Sequence, residues 1–274
     1  SGYLAFPLSS SVISEATCQL LGGMFETKDL GTPELKGIRQ PQRAHAVLSE
    51  RALESRFAAR NREGLGQLVG RDAEMEVLQR KWAQARAGSS ELVIVSGEAG
   101  IGKSRLVEAL LENIRTENHR LVRFQCLPQH VSSPLHAILN QLHVTAGISQ
   151  ADSREVQQAK LSSTLSASDD LDRRLLLLAL GHANTADAEI LALSPQQLRF
   201  RTLTALERHF ERTSGSQTLV VLFEDAHWTD PSSLDFLTLL MEGCARGLLL
   251  VLTARPGFQH NLRAHPNATS ITLN

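Results

Sequence analysis

The chain has 274 residues, 42% hydrophobic and 4% aromatic, enough for one large or two smaller domains with aliphatic cores. A formal net charge of −1 argues against a broadly basic nucleic-acid surface and against an anionic-membrane surface. Cys18, Cys126 and Cys244 are far apart and odd in number, which excludes a disulfide framework or zinc pattern and favours a reducing, cytoplasmic compartment. The apolar runs at 175–180 and 248–252 are too short to cross a bilayer. No secretory signal is visible, and a start at Ser1 rather than Met suggests a fragment or a processed chain.

Residues 11–49 read as a small α/β piece. Ser11-Val12-Ile13-Ser14 suggests a short strand, 15–21 one or two helical turns ended by Gly22-Gly23, and 25–30 and 44–48 two more strands. This is too little chain for an independent core. The charged, Ala- and Arg-rich stretch over 50–62 reads as a helical linker that stops near Gly64. A second domain starts near Gln67. Its first helix is expected over 72–86, with Met75, Val77, Leu78 and Trp82 as the apolar face.

Next comes the most specific signal, Gly97-Glu98-Ala99-Gly100-Ile101-Gly102-Lys103-Ser104, a phosphate-binding loop of the form G-x-x-x-x-G-K-[ST]. Glycines let successive N–H groups turn inward onto phosphate oxygens. Lys103 brings a mobile cation, and the Ser104 hydroxyl can ligate Mg²⁺. Before the loop, Leu92-Val93-Ile94-Val95 is an apolar strand. After it, Leu106, Val107, Leu110, Leu111 and Ile114 fall at helical spacing, so Arg105 sits in the first turn of a helix whose N-terminus attracts anions.

Residues 121–126 read as another strand, and 134–205 hold helical patterns with no convincing strand. Within them, 148–172 is polar enough to be mobile, and Ser194-Pro195 marks a helix start. Leu219-Val220-Val221-Leu222-Phe223 then runs into Glu224-Asp225. An apolar strand ending in two acids is a Walker B pattern, with one carboxylate for Mg²⁺ and one to polarise a water. The order here is Glu then Asp, so the pair is assigned jointly, with Asp225 favoured for the metal. His227-Trp228 lies just beyond. Without partner ligands, His227 reads as packing and loop orientation rather than as a metal ligand. Asp230-Pro231 fits a helix start. A strand over 248–252 leads into Thr253-Ala254-Arg255-Pro256, where Arg255 is a candidate γ-phosphate sensor. A last strand begins at Ser270. Strands alternating with helices imply an α/β fold, a P-loop NTPase parallel sheet with helices on both faces and ligands at the strands' carboxyl ends.

These motifs, with Leu68-Val69-Gly70-Arg71 and Phe223-Glu224-Asp225-Ala226-His227-Trp228-Thr229-Asp230-Pro231, resemble the ATPase module of the STAND/AAA-like class. The version here is most similar to the one that follows a class III adenylate/guanylate cyclase domain. Val12-Ile13-Ser14-Glu15-Ala16-Thr17, Leu20-Leu21-Gly22-Gly23-Met24-Phe25, Asp29-Leu30-Gly31 and Glu34-Leu35-Lys36-Gly37-Ile38 resemble the end of such a domain, and Glu54-Ser55-Arg56-Phe57 resembles its linker. The resemblance implies a cyclase remnant over 1–49, a helical linker over 50–66 and an ATPase domain over 67–274, truncated at its C-terminal end. It places Val69, Gly70 and Arg71 by the adenine and Arg255 at the γ-phosphate. ATP and Mg²⁺ are the implied ligands, with ADP as the alternate occupant and a cyclase domain in cis as partner. Neither nucleic acid nor membrane is indicated, and self-association stays open. The cyclase's metal-binding aspartates belong upstream of Val12, so this segment by itself is not expected to make a cyclic nucleotide. The expectation is a slowly hydrolysing regulatory ATPase module. The competing readings are a full-length cyclase with this segment as scaffold, and the ATPase module of a LuxR-like transcriptional regulator.

Overall fold

The computed structural model describes residues 11–21, 25–33, 42–50, 70–149, 151–182, 187–244, 247–258 and 260–274. The chain divides into two compact units, Ser1–Gly66 and Gln67–Asn274. In the first, β1 (Val12–Ser14), α1 (Glu15–Leu21), β2 (Phe25–Asp29) and β3 (Ala44–Glu50) form a three-stranded antiparallel sheet, order β1-β3-β2, with one helix. Ala44 and Ala46 on the central strand are buried. Arg43 pairs with Asp29 at 2.6 Å and His45 with Glu15 at 2.6 Å. The strand takes in Glu50, the first residue assigned to the linker from sequence. The rest of that linker, and Val69, lie outside the described residues.

The second unit begins with α2 (Asp72–Arg86), which buries Leu78, Trp82 and Ala85, while Met75 and Val77 pack at its margin. Next come β4 (Ser90–Ser96), α3 (Lys103–Asn113) and β5 (His119–Gln125). A helical stretch follows, with α4 (His136–Thr145), α5 (Arg154–Thr164), α6 (Asp170–Ala179), α7 (Ala188–Leu191) and α8 (Pro195–Ser214). The chain then adds β6 (Thr218–Glu224), α9 (Pro231–Gly243), β7 (Leu248–Ala254) and β8 (Ala268–Thr272).

The polar stretch at 148–172 is therefore helical over much of its length. Ser153 caps α5 by accepting from Val156 N–H, and Leu161 is fully buried, in line with the helical patterns expected over 134–205. At α8, Ser194 and Gln197 form a reciprocal capping box with Pro195 in the first turn, as the Ser-Pro signal implied.

The five long strands make one parallel sheet in the order β5-β6-β7-β4-β8. Each strand sends alternate residues to opposite faces. On one face Val93, Val95, Val220, Leu222, Leu249 and Val251 pack against α2 and α3. On the other, Ile94, Phe124, Val221, Phe223, Leu250 and Leu252 meet the larger helical layer. There Phe124 touches Phe210, Phe223 and Phe236 edge-on, with centroids 5.4 to 6.1 Å apart. Each such fully buried apolar side chain contributes about 1.5–3 kcal/mol. This is the α/β P-loop NTPase architecture. The strand register sets Ser96 beside Ala254, Gln125 beside Glu224, and the end of β6 beside that of β7, so three chemical motifs leave the sheet at one edge.

Candidate functional site

The 97–104 loop leaves β4 at that edge. Gly100 and Gly102 have φ of 83° and 101°, in the left-handed region, while a Cβ at either would meet nothing within 4 Å. Glycine is needed there for conformation. Gly97 is needed for space instead, because a Cβ would sit 2.9 Å from Ile101 Cγ2 and 3.0 Å from the Leu273 carbonyl oxygen. Gly97 N–H also donates to Ala254 O at 3.3 Å, which ties the loop to the end of β7. Gly102 is the residue before α3, and no side chain caps that helix, so its first N–H groups face the loop as an anion-binding end. Lys103 Nζ donates to Gly97 O and Glu98 O, each at 2.8 Å. Burial holds its pKa below the ordinary lysine value, with Asp225 and Glu98 acting the other way and Arg255 adding to the depression. Ser104 is the second residue of α3. Glu98, Ala99 and Ile101 complete the loop, Ile101 turning its side chain inward against the α2–α3 core. The Arg105 guanidinium lies 3.5 Å from the Glu112 carboxylate further along α3.

The two acids at the end of β6 have opposite surroundings. Glu224 is 5% exposed, and burial, reinforced by Glu108 and Asp225 and opposed by Arg123, pushes its pKa up to about 7. Arg123 on β5 is itself tied to Glu108 on α3 through two hydrogen bonds, the second at 3.1 Å. Asp225 steps out of the strand with φ 55°, a left-handed conformation that aspartate tolerates better than most residues. Its carboxylate accepts from Gln125 Nε2 at 3.0 Å, and its N–H donates to Thr253 Oγ1 at 3.1 Å. Its charge also acts on Lys103, opposing the effect of burial there.

A single 3₁₀ turn, Ala226–Trp228, follows. The His227 and Trp228 rings lie 5.0 Å apart, and the Arg255 guanidinium lies 5.9 Å from the Trp228 ring centroid. Both ring nitrogens of His227 are buried and have no hydrogen-bond partner among the described residues. A neutral imidazole carries one donor and one acceptor, and leaving a buried polar group unpaired costs about 1–3 kcal/mol. Burial lowers the His227 pKa, Asp225 opposes the shift, and Arg255 and Lys103 add to it.

Lys103, Asp225, Arg255 and His227 therefore form one electrostatic neighbourhood. Arg71 arrives from elsewhere. Its guanidinium donates to Glu74 at 2.9 Å and to the Asn274 carbonyl at 3.0 Å, next to the Leu273 that lines Gly97. Gly70, with φ 70°, precedes it. Arg71 and Gly70 thus flank the β8 end of the same edge. Cys126, whose thiol burial pushes up to about 12, is an unreactive packing group. Gln125 and Arg123 escaped the sequence reading, because their meaning lies in the pairing of β5 with β6, which a single sequence does not reveal.

The residues suit Mg²⁺–nucleotide chemistry. A glycine loop and helix end supply N–H donors, Lys103 a cation, and Ser104 with Glu224 and Asp225 hard oxygen donors. Among the described residues no group of three or more His, Cys, Asp or Glu side chains is disposed to hold a metal, and a nucleotide-bound Mg²⁺ takes its remaining ligands from phosphate and water. Among the described residues no helix is long and apolar enough to cross a membrane.

The second unit matches a known domain family, and the chain has similarity to several known proteins. The model of the AAA ATPase domain matches residues 67–252. An uncharacterized protein of Rhizobium meliloti (strain 1021) is 31% identical over 270 residues, 97% of this chain but 26% of that protein. The chain thus spans about a quarter of the length of that curated relative. Among solved structures, similarity extends to a STAND protein with a tetratricopeptide repeat sensor from Pyrococcus horikoshii, at 14% identity and TM-score 0.40, covering 76% of this chain and 23% of that one. It also extends to Drosophila ORC bound to DNA, at 12% identity and TM-score 0.41, covering 94% of this chain and 54% of that one. With the family model spanning most of the second unit and the loop, acids and sheet order in place, the chain belongs to the AAA ATPase domain family.

Proposed function

We propose that the chain is an ATP·Mg²⁺-binding regulatory module that hydrolyses ATP slowly and whose conformation follows ATP versus ADP occupancy. The observation that carries this reading is the convergence of the 97–104 loop, Glu224-Asp225 and Arg255 at one carboxyl edge of the sheet. The loop and the first turn of α3 bind the phosphates, and Lys103 exchanges its two carbonyl partners for phosphate oxygens. Gly70 and Arg71, with Val69 before them, border the nucleoside end. Ser104, Asp225 and Glu224 are the residues to hold the metal, which when bound polarises the phosphate oxygens as a Lewis acid. Glu224, which burial pushes up to about 7, is suited to accept a proton, and Asp225, whose charge acts on Lys103, is favoured for the metal. Arg255 reads the terminal phosphate. Calorimetric titration with ATP·Mg²⁺ and ADP·Mg²⁺ tests the assignment. Lys103→Ala is expected to weaken both by about a hundredfold. Unchanged affinities would show that the site is elsewhere.

The finer reading sets this module behind a class III cyclase domain, with 1–49 as that domain's end, 50–66 as a helical linker and 67–274 as the ATPase domain. It is supported by the cyclase-like segments between Val12 and Ile38. In it, the linker transmits nucleotide state to the cyclase. The gene upstream of Ser1 tests this: metal-binding aspartates of a cyclase are expected there, and a different domain in that place contradicts it.

A further inference from the structure

The 225–228 turn carries two features that packing alone does not explain. Asp225 holds a left-handed backbone, and two residues later His227 buries both ring nitrogens without a partner. A residue needed only to fill space between Trp228 and the site would be served by an apolar ring, with no polar atoms to leave unsatisfied. The imidazole stands among Lys103, Asp225 and Arg255, and its neighbour Trp228 lies against Arg255, the candidate phosphate reader. Unsatisfied polar groups and rare backbone conformations persist where a second state relieves them. We propose that His227 is the positioning residue that distinguishes nucleoside triphosphate from diphosphate, its ring N–H donating to the terminal phosphoryl group as the 225–228 turn rearranges.

This rests on the nucleotide reading of the loop. Lys103 belongs to the loop that holds phosphates common to both nucleotides, whereas His227 belongs to the turn that follows Asp225, where its neighbour Trp228 lies against Arg255. Occupancy by a triphosphate then gives the orphaned donor its acceptor and draws the turn, with Trp228, into a new position. A diphosphate leaves the ring as it stands here.

The test is direct binding by the full chain of two probes, ADP·Mg²⁺ and a non-hydrolysable imido analogue of ATP with Mg²⁺. His227→Phe, which keeps a planar ring against Trp228, is expected to weaken the analogue about tenfold or more while ADP affinity stays within about twofold. His227→Gln, which restores a donor, is expected to recover part of the discrimination. Equal losses for both probes would make His227 a structural residue and overturn the proposal, as would two unchanged affinities. Lys103→Ala in parallel separates the two levels. If it leaves both probes bound as before, the site itself is misassigned. If it weakens both while His227→Phe changes no ratio, only the role of His227 falls.

Discussion

The loop after β4 and the turn after β6 share one edge of the sheet but are held in different ways. The 97–104 loop is held mainly by its own atoms, with the Gly97 N–H to Ala254 O bond as its tie to β7. Lys103 is bonded by the loop's own carbonyls, Ile101 N–H donates to Glu98 O, and Gly97 fits against Leu273 without slack. The 225–228 turn closes its backbone through Trp228 N–H to Asp225 O, yet its side chains depend on neighbours. Gln125 from β5 and Thr253 from β7 pin Asp225, and the His227 ring nitrogens have no hydrogen-bond partner among the described residues. A self-contained loop is preformed for binding. A turn pinned from adjacent strands, with an unpaired group inside it, is suited to report what is bound.

The largest effect expected from breaking this contrast is at Glu224. Its folded pKa is raised from 4.5 to about 7, so the stability it contributes is fully present below pH 4.5 and is lost as pH rises through 7. Glu224→Gln should remove that slope and stabilise the ligand-free protein by about 3 kcal/mol above pH 7, read from urea midpoints across the interval. A parallel shift at all pH values would contradict the assignment. Next is Gly97→Ala. The added methyl must displace Ile101 or the Leu273 carbonyl, costing about 2 kcal/mol and weakening nucleotide binding with it. A melting temperature and ATP affinity like the parent's would show that the loop has slack.

Thr253→Val is a smaller break on the other side. It strands the Asp225 N–H and should cost about 1 kcal/mol, visible in the thermal midpoint. Gln125→Leu should be nearly silent in stability, within about 0.5 kcal/mol, yet lower the phosphate-release rate several-fold because the Asp225 carboxylate loses its donor. If stability and rate fall together, Gln125 is merely structural.

What was legible in the sequence follows from locality. The phosphate loop is contiguous, each position answering one demand of a phosphate chain, and its strand and helix carry their own periodicities. The ends of β6 and β7 were legible for the same reason. Hidden were contacts made across strands. Gln125 on Asp225 and Arg123 between Glu108 and Glu224 depend on β5 lying next to β6. Arg71 reaching Asn274 depends on the end of the second unit returning to that unit's first helix. Helix α5 falls within the helical patterns expected over 134–205, with Ser153 as its cap and Leu161 as its buried residue. The orphaned ring of His227 was invisible too, since a His-Trp pair past a strand end reads as packing until its nitrogens are followed in space.

The central claim is that the 97–104 loop binds the nucleotide and the 225–228 turn senses its terminal phosphate. Amide hydrogen exchange of the full chain, free and saturated with Mg²⁺ and either ADP or the imido analogue of ATP, addresses both at once. Both nucleotides are expected to protect the amides of 97–105, and the triphosphate analogue alone to change exchange across 225–228. No protection at 97–105 with either nucleotide would contradict the account outright.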